Sequence, residues 1–309
     1  EFRRVLFRSE KMEENVLQQD VQDVAQEHHL LFAKLLFHEK PVLCSADAYK
    51  EALEKRLGDI DLVSDGNLSM FAVKGYCTKM LNDAKEEVEV PAMLNMIEPL
   101  EFKLDAISDL EKSQYWDVEN ALEQLSNCQY GISVFDMMSI GLPYQKRMEL
   151  MVHAVEAALE MYPDCIGTYM DCSGKFMTRD QILSVQDKDI VYRFINMYVN
   201  VRFFNIQGKE DEHVIDSIGA YALEYPDVQM HFHSLNPNHV VGYVYNVLSY
   251  QLEHDFPIES KDTIDGINQE GYMDQNIPWT CQYEKSLIQP IRDVLDICPK
   301  EFAAGNREI

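Results

Sequence analysis

Positive charge is what this sequence has least of. Against 53 Asp and Glu stand only 27 Lys and Arg, a formal net charge of −26 over 309 residues. A surface this negative repels phosphate backbones, and nucleic-acid binding needs a basic stripe that no stretch supplies. The same charge disfavours anionic membranes and favours solubility and a basic partner. Long apolar runs are missing as well. "LLFAKLLF" (Leu30–Phe37) falls far short of the roughly 18 residues a membrane helix needs, and it contains Lys34. The seven cysteines (Cys44, Cys77, Cys128, Cys165, Cys172, Cys281 and Cys298) make no CxxC pair. An odd count without such pairs fits neither a disulfide framework nor a zinc ribbon. Most lie in apolar, strand-like contexts where a free cysteine behaves as a small buried hydrophobe, which points to a reducing cytoplasm. G-x-S-x-G, H-E-x-x-H and G-x-G-x-x-G are absent, and so is any low-complexity tract.

The exception to the acidic rule is the opening "EFRRVLFRS", with three arginines in nine residues. One DNA string, GAGTTCAGACGTGTGCTCTTCCGATCT, encodes all nine and resembles the end of a sequencing adapter. Residues 1–9 therefore read as a translated adapter remnant, outside fold reasoning. Without them the net charge becomes −28, since three Arg and one Glu are removed. Such a segment is expected to lie outside the compact domain, without defended core positions for Phe2 and Phe7.

With 46% hydrophobic residues the chain can bury a sizeable core. Residues 10–38 read as an N-terminal helical segment, 39–185 as a first lobe, 186–298 as a second, and 299–309 as a tail, with the lobe boundary at Gln186–Asp189. "KPVLCS" reads as a strand. Ser45 then caps a helix with Tyr49, Ala52, Leu53 and Leu57 on one face and Gly58 as its stop. Asp65-Gly66 between two apolar runs predicts a hairpin. "QYGISVFDM", a helix with Met148, Met151, Val152, Val155 and Leu159 in line, and "CIGTYM" form a strand–helix–strand passage whose strands should run parallel in one sheet. "NMYVNVRFFNI" alternates as a strand. A second hairpin turns at Pro226-Asp227, and its return strand points Val228, Met230 and Phe232 inward and Gln229, His231 and His233 outward. A helix from Asn238 to His254 should cover this meander with Val240, Val244 and Leu248, before short strands near Trp279–Tyr283 and Val294–Ile297. The fold class expected is α+β: a mostly antiparallel sheet with helices on it, a ferredoxin-like split βαβ unit in the first lobe, and a three-strand meander plus helix in the second.

Three constellations invite a chemical reading. Ser173-Gly174-Lys175 lacks the spacing of a phosphate loop, because Gly167 lies seven residues before Gly174 and Phe176 follows the lysine. A plain turn is preferred. His231 and His233 share a strand face at a workable metal-ligand spacing, with His213 and Asp216 as further candidates on the partner strand. A solvated sheet face is the plainer alternative. Asp136 and Asp171 each end a strand, and parallel strands would bring both carboxylates to one sheet edge, where metal or acid–base chemistry is at home. Ordinary turn and capping roles are the preferred reading. No residue is assigned as catalytic, cofactor-binding or metal-binding on this ground.

Residues 37–297 resemble a bacterial domain-of-unknown-function family. The resemblance is strongest over about residues 190–297, in "VNVRFFNI", "DSIGAYALEYPDVQMHFHSLNPNHV", the helix after it and "KDTIDG". "NCQYGISVFDMMSIGLPYQKR" and "CIGTYMDCSGKFMT" are similar to the family's N-terminal portion, and residues 1–9 match nothing in it. The resemblance implies no activity or cofactor. It implies that "SGK" and "HFH" belong to the scaffold. The function expected is a non-catalytic intracellular binding or regulatory module that recognises another protein. The alternative is a metal-dependent hydrolase using Asp136 and Asp171 or His231 and His233.

Overall fold

The computed structural model describes residues 29–81 and 84–305, with the backbone of Arg4–Leu6 and Val16–Gln18. The chain divides into two compact units. One comprises His28–Ser108 and Tyr115–Tyr198, the other Glu1–Glu27, Asp109–Gln114 and Val199–Ile309. The boundary therefore falls after Tyr198 and not at Gln186–Asp189. Elements β1 (Arg4–Leu6) and β2 (Val16–Gln18) belong to the second of these units.

The first unit holds β3 (Phe32–Phe37), α1 (Ala46–Leu57), β4 (Ile60–Ser64), β5 (Leu68–Leu81) and β6 (Glu87–Glu101). The short helix α2 (Asp109–Lys112) is lent to the other unit, and the chain returns with α3 (Ala121–Ser126), β7 (Tyr130–Met137), α4 (Tyr144–Met161), β8 (Gly167–Met170), β9 (Lys175–Thr178), α5 (Arg179–Leu183) and α6 (Ile190–Tyr198). Its seven strands are ordered β4-β5-β6-β7-β3-β8-β9, every neighbouring pair antiparallel. Both β7 and β8 run antiparallel to β3, so they run parallel to each other and the β7-α4-β8 passage straddles β3. In the same way β3 and β6 straddle β7. This interlocking is the ferredoxin-like split arrangement, with β4 and β5 added at one edge and β9 at the other.

Local chemistry explains the elements. Ser45 Oγ accepts from Ala48 N at 3.2 Å and Gly58, at φ 80°, ends α1. Met148, Met151, Val152, Val155 and Leu159 of α4 are fully buried, each worth about 1.5–3 kcal/mol of apolar transfer. Three expectations need correction. Phe32–Phe37 is the inner strand β3, between β7 and β8, and not part of a helical segment. A short apolar run of this length carries no periodicity that separates strand from helix. "KPVLCS" is irregular chain between β3 and α1. Asn196–Tyr198 end helix α6, because Val191, Phe194, Ile195 and Tyr198 bury one stripe at helical spacing. The strand starts only at Asn200.

The second unit continues with β10 (Asn200–Ile206), β11 (Glu212–Ile218), β12 (Asp227–His233), α7 (Pro237–Glu253), β13 (Thr263–Ile267), β14 (Met273–Lys285) and β15 (Asp293–Cys298). Its sheet is ordered β13-β14-β15-β12-β11-β10-β1-β2. The expected meander is β10-β11-β12, and α7 packs on all three strands. Val240, Val244 and Leu248 are fully buried, joined by Tyr243, Val247 and Gln251, while Val241 and Tyr245 are only half-buried. The strand β15 joins parallel to β12. Beyond its end the chain returns along β12, where Ala304 N donates to His231 O at 3.0 Å.

Two features of this sheet depart from expectation. Gln229 and His231 are buried, at 0% and 7% exposure, because the second sheet face is covered as well. Phe204, Val214 and Ile288 form a core there, with Leu110 of α2 and Leu287 packed against it. Residues 1–9 do not lie wholly outside the domain. The backbone of Arg4–Leu6 pairs with β10, Val5 opposite Ile206. An open sheet edge offers unpaired N–H and C=O groups to any extended chain, whatever its side chains. Phe2 and Phe7 lie outside the described residues.

Candidate functional site

The two strand-end aspartates do reach the same sheet edge, and each already has a cation. Asp136 is completely buried. Its Oδ1 accepts from Leu31 N at 2.7 Å, and its Oδ2 from Ser139 Oγ at 2.5 Å and Arg147 Nε at 2.6 Å. Arg147 Nη2 in turn donates to His29 O at 2.6 Å. Asp171, half-exposed, takes Lys34 Nζ at 2.6 Å, and its N–H reaches Phe32 O at 3.3 Å. The His29 imidazole lies close enough to feel this cluster. Burial, and after it the Arg147 charge, lower its pKa, while Asp171 and Asp136 pull it back up. The cluster is a joint that ties β3 to β7 and α4, with the carboxylate lone pairs of Asp136 spent on the protein itself.

The histidines are dispersed in the same way. His231 Nε2 lies 2.9 Å from Glu212 Oε1. His233 Nδ1 lies 3.0 Å from Ser234 Oγ. His213 stands directly opposite Phe232 in the register, on the other face from His231, with its ring beside Phe203 and Phe232 and its Nδ1 2.8 Å from Asn205 Oδ1. Asp216 is held by two arginines, Arg202 and Arg292. Among the described residues no three His, Cys, Asp or Glu side chains are grouped to hold a metal. Ser173 and Gly174 lie in the turn between β8 and β9 and Lys175 opens β9, with Gly174 at φ 63° and Lys175 Nζ bound to Asp117. Burial pushes the thiols of Cys128, Cys165 and Cys281 up to about 12, far from a reactive thiolate.

Sequence reasoning missed a buried charge layer across the eight-stranded sheet. Arg202, Asp216, Gln229 and Asp296 occupy one lateral row over β10, β11, β12 and β15. Arg202 Nε and Nη2 donate to Asp216 Oδ1 and Oδ2. Arg292, from the chain between β14 and β15, adds Nη2 to Asp216 Oδ2 at 2.7 Å and Nε to Asp227 Oδ2 at 3.0 Å. Asp227 also accepts from Ser217 Oγ and from the amides of Gly219, Ala220 and Tyr221. Gln229 donates to Asp296 and accepts from Leu287 N. These groups satisfy one another and fasten residues 286–292 over the sheet. The side chains of Arg202, Asp216, Asp227, Gln229, Arg292 and Asp296 are all buried.

What this unit does present is a groove of about 720 Å³ beside α7, lined by Asn246, Val247 and Tyr250 on one wall and by Ile258, Thr263–Asp265 and Met273 on the other. Among its described residues the large exposed hydrophobic side chains are Tyr250, Tyr272 and Met273. Two line the groove and the third is the chain neighbour of Met273. Asp262 and Asp265 add two carboxylates, and among the described residues neither is paired with a cation. Tyr250 lies off the apolar stripe of α7, with its ring beside His254, and sequence reasoning had no signal for it. No described helix is long and apolar enough to cross a membrane.

Residues 216–298 match the family described as Domain of unknown function (DUF4261). The match takes in β12, α7, the groove and most of the buried charge layer, and it supports the C-terminal part of the resemblance drawn from "DSIGAYALEYPDVQMHFHSLNPNHV" and "KDTIDG". No curated protein and no solved structure matches the chain.

Proposed function

We propose that this protein is a non-catalytic intracellular binding module that recognises another protein through the groove between α7 and β13. One observation carries the reading: the large exposed hydrophobic side chains among the described residues of this unit, Tyr250, Tyr272 and Met273, gather at that groove, together with two carboxylates. Exposed apolar side chains scattered singly mean little, but a cluster rimmed by charge marks an interaction surface. The cavity is also in the size range of a ligand cleft. Free, mostly buried cysteines support a reducing compartment. The net charge of −26 supports a partner of opposite sign and speaks against nucleic acid and anionic membrane. The hydrolase alternative has less to stand on, since Asp136, Asp171, His231 and His233 each find a partner inside the fold.

The test is parallel capture by the full chain and by a Tyr250→Ser/Met273→Ser variant of unchanged melting temperature. A protein retained by the first and lost by the second supports the reading. Equal retention by both overturns it.

A further inference from the structure

The groove runs along an open sheet edge. Among the described residues the strand β13 ends the eight-stranded sheet and pairs with β14 alone. Lys261 N donates to Cys281 O at 2.7 Å and Cys281 N to Asp262 O at 2.8 Å, a bulge with Lys261 at φ 80°. From there Ile264 faces Trp279, and Asp265 faces Pro278, which has no N–H to give. In an antiparallel ladder successive residues point their backbone groups alternately at the partner and away from it. With Asp262 bonded to β14, Ile264 is too, and Thr263 and Asp265 point theirs at the open edge. The Tyr243 hydroxyl, from α7, takes the Asp265 carbonyl at 2.7 Å. That leaves the N–H and C=O of Thr263 and the N–H of Asp265 as outward-facing groups among the described residues.

We infer that the partner enters this groove as an extended segment bearing Lys or Arg, adding an antiparallel or parallel strand to the Thr263–Asp265 edge. The inference rests on the groove being the binding surface. Main-chain bonds to an exposed edge give such complexes their affinity, and pockets for alternate side chains give their specificity. Here one set of alternate side chains would lie on Val247, Tyr250 and Met273. The carboxylates of Asp262 and Asp265 fix the sign of the others. A second copy of this chain is the wrong occupant, because it would bring its own charge of −26 to an acidic edge.

The experiment is an anisotropy titration of the full chain with a labelled synthetic peptide alternating lysine and valine. The same peptide N-methylated at alternate amides keeps its side chains and charge and loses its strand donors. The expected result is binding that weakens about tenfold on N-methylation, the loss of one or two hydrogen bonds. Asp265→Asn should weaken it and flatten its salt dependence. Thr263→Pro, which removes an outward amide and no bond to β14, should weaken it at an unchanged melting temperature. If the methylated peptide or the Thr263→Pro chain binds as well as the original while Tyr250→Ser still weakens binding, strand addition is wrong and the groove stands. If no lysine–valine peptide binds, or Tyr250→Ser and Asp265→Asn both leave binding unchanged, the groove reading fails with it. Self-association of the chain that Thr263→Pro abolishes would make a second copy the occupant and overturn the partner class.

Discussion

Arg202 and Asp216 stand directly opposite each other on neighbouring strands and meet through two parallel hydrogen bonds, of 2.9 and 2.6 Å, with the carboxylate completely buried. A second guanidinium, Arg292, shares the same carboxylate and bridges it to Asp227. Two buried cations thus face the two buried anions Asp216 and Asp227, while Asp296 in the same layer accepts from Gln229. Removing one leaves a charge with no solvent to fall back on.

Arg292→Met should therefore cost about 3–5 kcal/mol, the usual penalty for breaking a buried ion pair from one side. Urea unfolding of the variant checks it. A loss under about 1 kcal/mol would mean that the layer is solvated or slack.

Asp136 and Asp171 should behave oppositely although both end strands. Asp136→Ala strips Arg147, itself 2% exposed, of its carboxylate and should cost several kcal/mol, by the same logic. Asp171→Ala removes a half-exposed pair with Lys34 and should cost about 0–1 kcal/mol. Denaturation midpoints of the two variants make the comparison. A fully stable Asp136→Ala chain would reopen the reading of that aspartate as a functional acid.

Acid should loosen the contact between α4 and α6. Burial pushes the Glu156 carboxyl up, but His153 and Arg193 outweigh it and hold its pKa below the ordinary 4.5. Arg193 Nε donates to it at 2.9 Å. A depressed carboxylate stabilises the fold above the unfolded value, and that contribution is lost as pH falls from 4.5 through the lower folded value. Glu156→Gln should be less stable than the original chain at neutral pH, with the gap closing below 4.5. A gap independent of pH would contradict the linkage.

Gly266 should not tolerate a methyl group. An added Cβ would lie 2.5 Å from the Trp279 ring and 2.8 Å from Ile277 O. Trp279 is completely buried and cannot step aside. Gly266→Ala should cost about 1–3 kcal/mol as an overpacked site, measured by thermal unfolding. It should also disturb β13, and with it the groove.

Much of the architecture was legible because it rests on local chemistry. The cap at Ser45, the α4 stripe, the Asp65-Gly66 turn and the meander under α7 follow from residues close in sequence. The failures came where tertiary contacts decide. Phe32–Phe37 could not declare itself a strand while β7 and β8, which flank it, lie some hundred residues away by the pairing register. Gln229 and His231 looked solvent-facing because the cover on that sheet face comes from residues 286–292 and α2. The aspartates were placed at the right edge, but their cations, Arg147 and Lys34, come from other elements. "KDTIDG" stood out as a block without a visible role. Its residues Asp262, Thr263, Ile264 and Asp265 line the groove together with Tyr250 and Met273, which the fold brings beside them.

The most direct measurement follows amide resonances of the isotope-labelled chain as the lysine–valine peptide is added. The groove reading expects the largest shifts at Tyr250, Thr263, Asp265 and Met273, with Thr263 and Asp265 amides protected from solvent exchange. Shifts centred on the seven-stranded unit, or none at all, would contradict it.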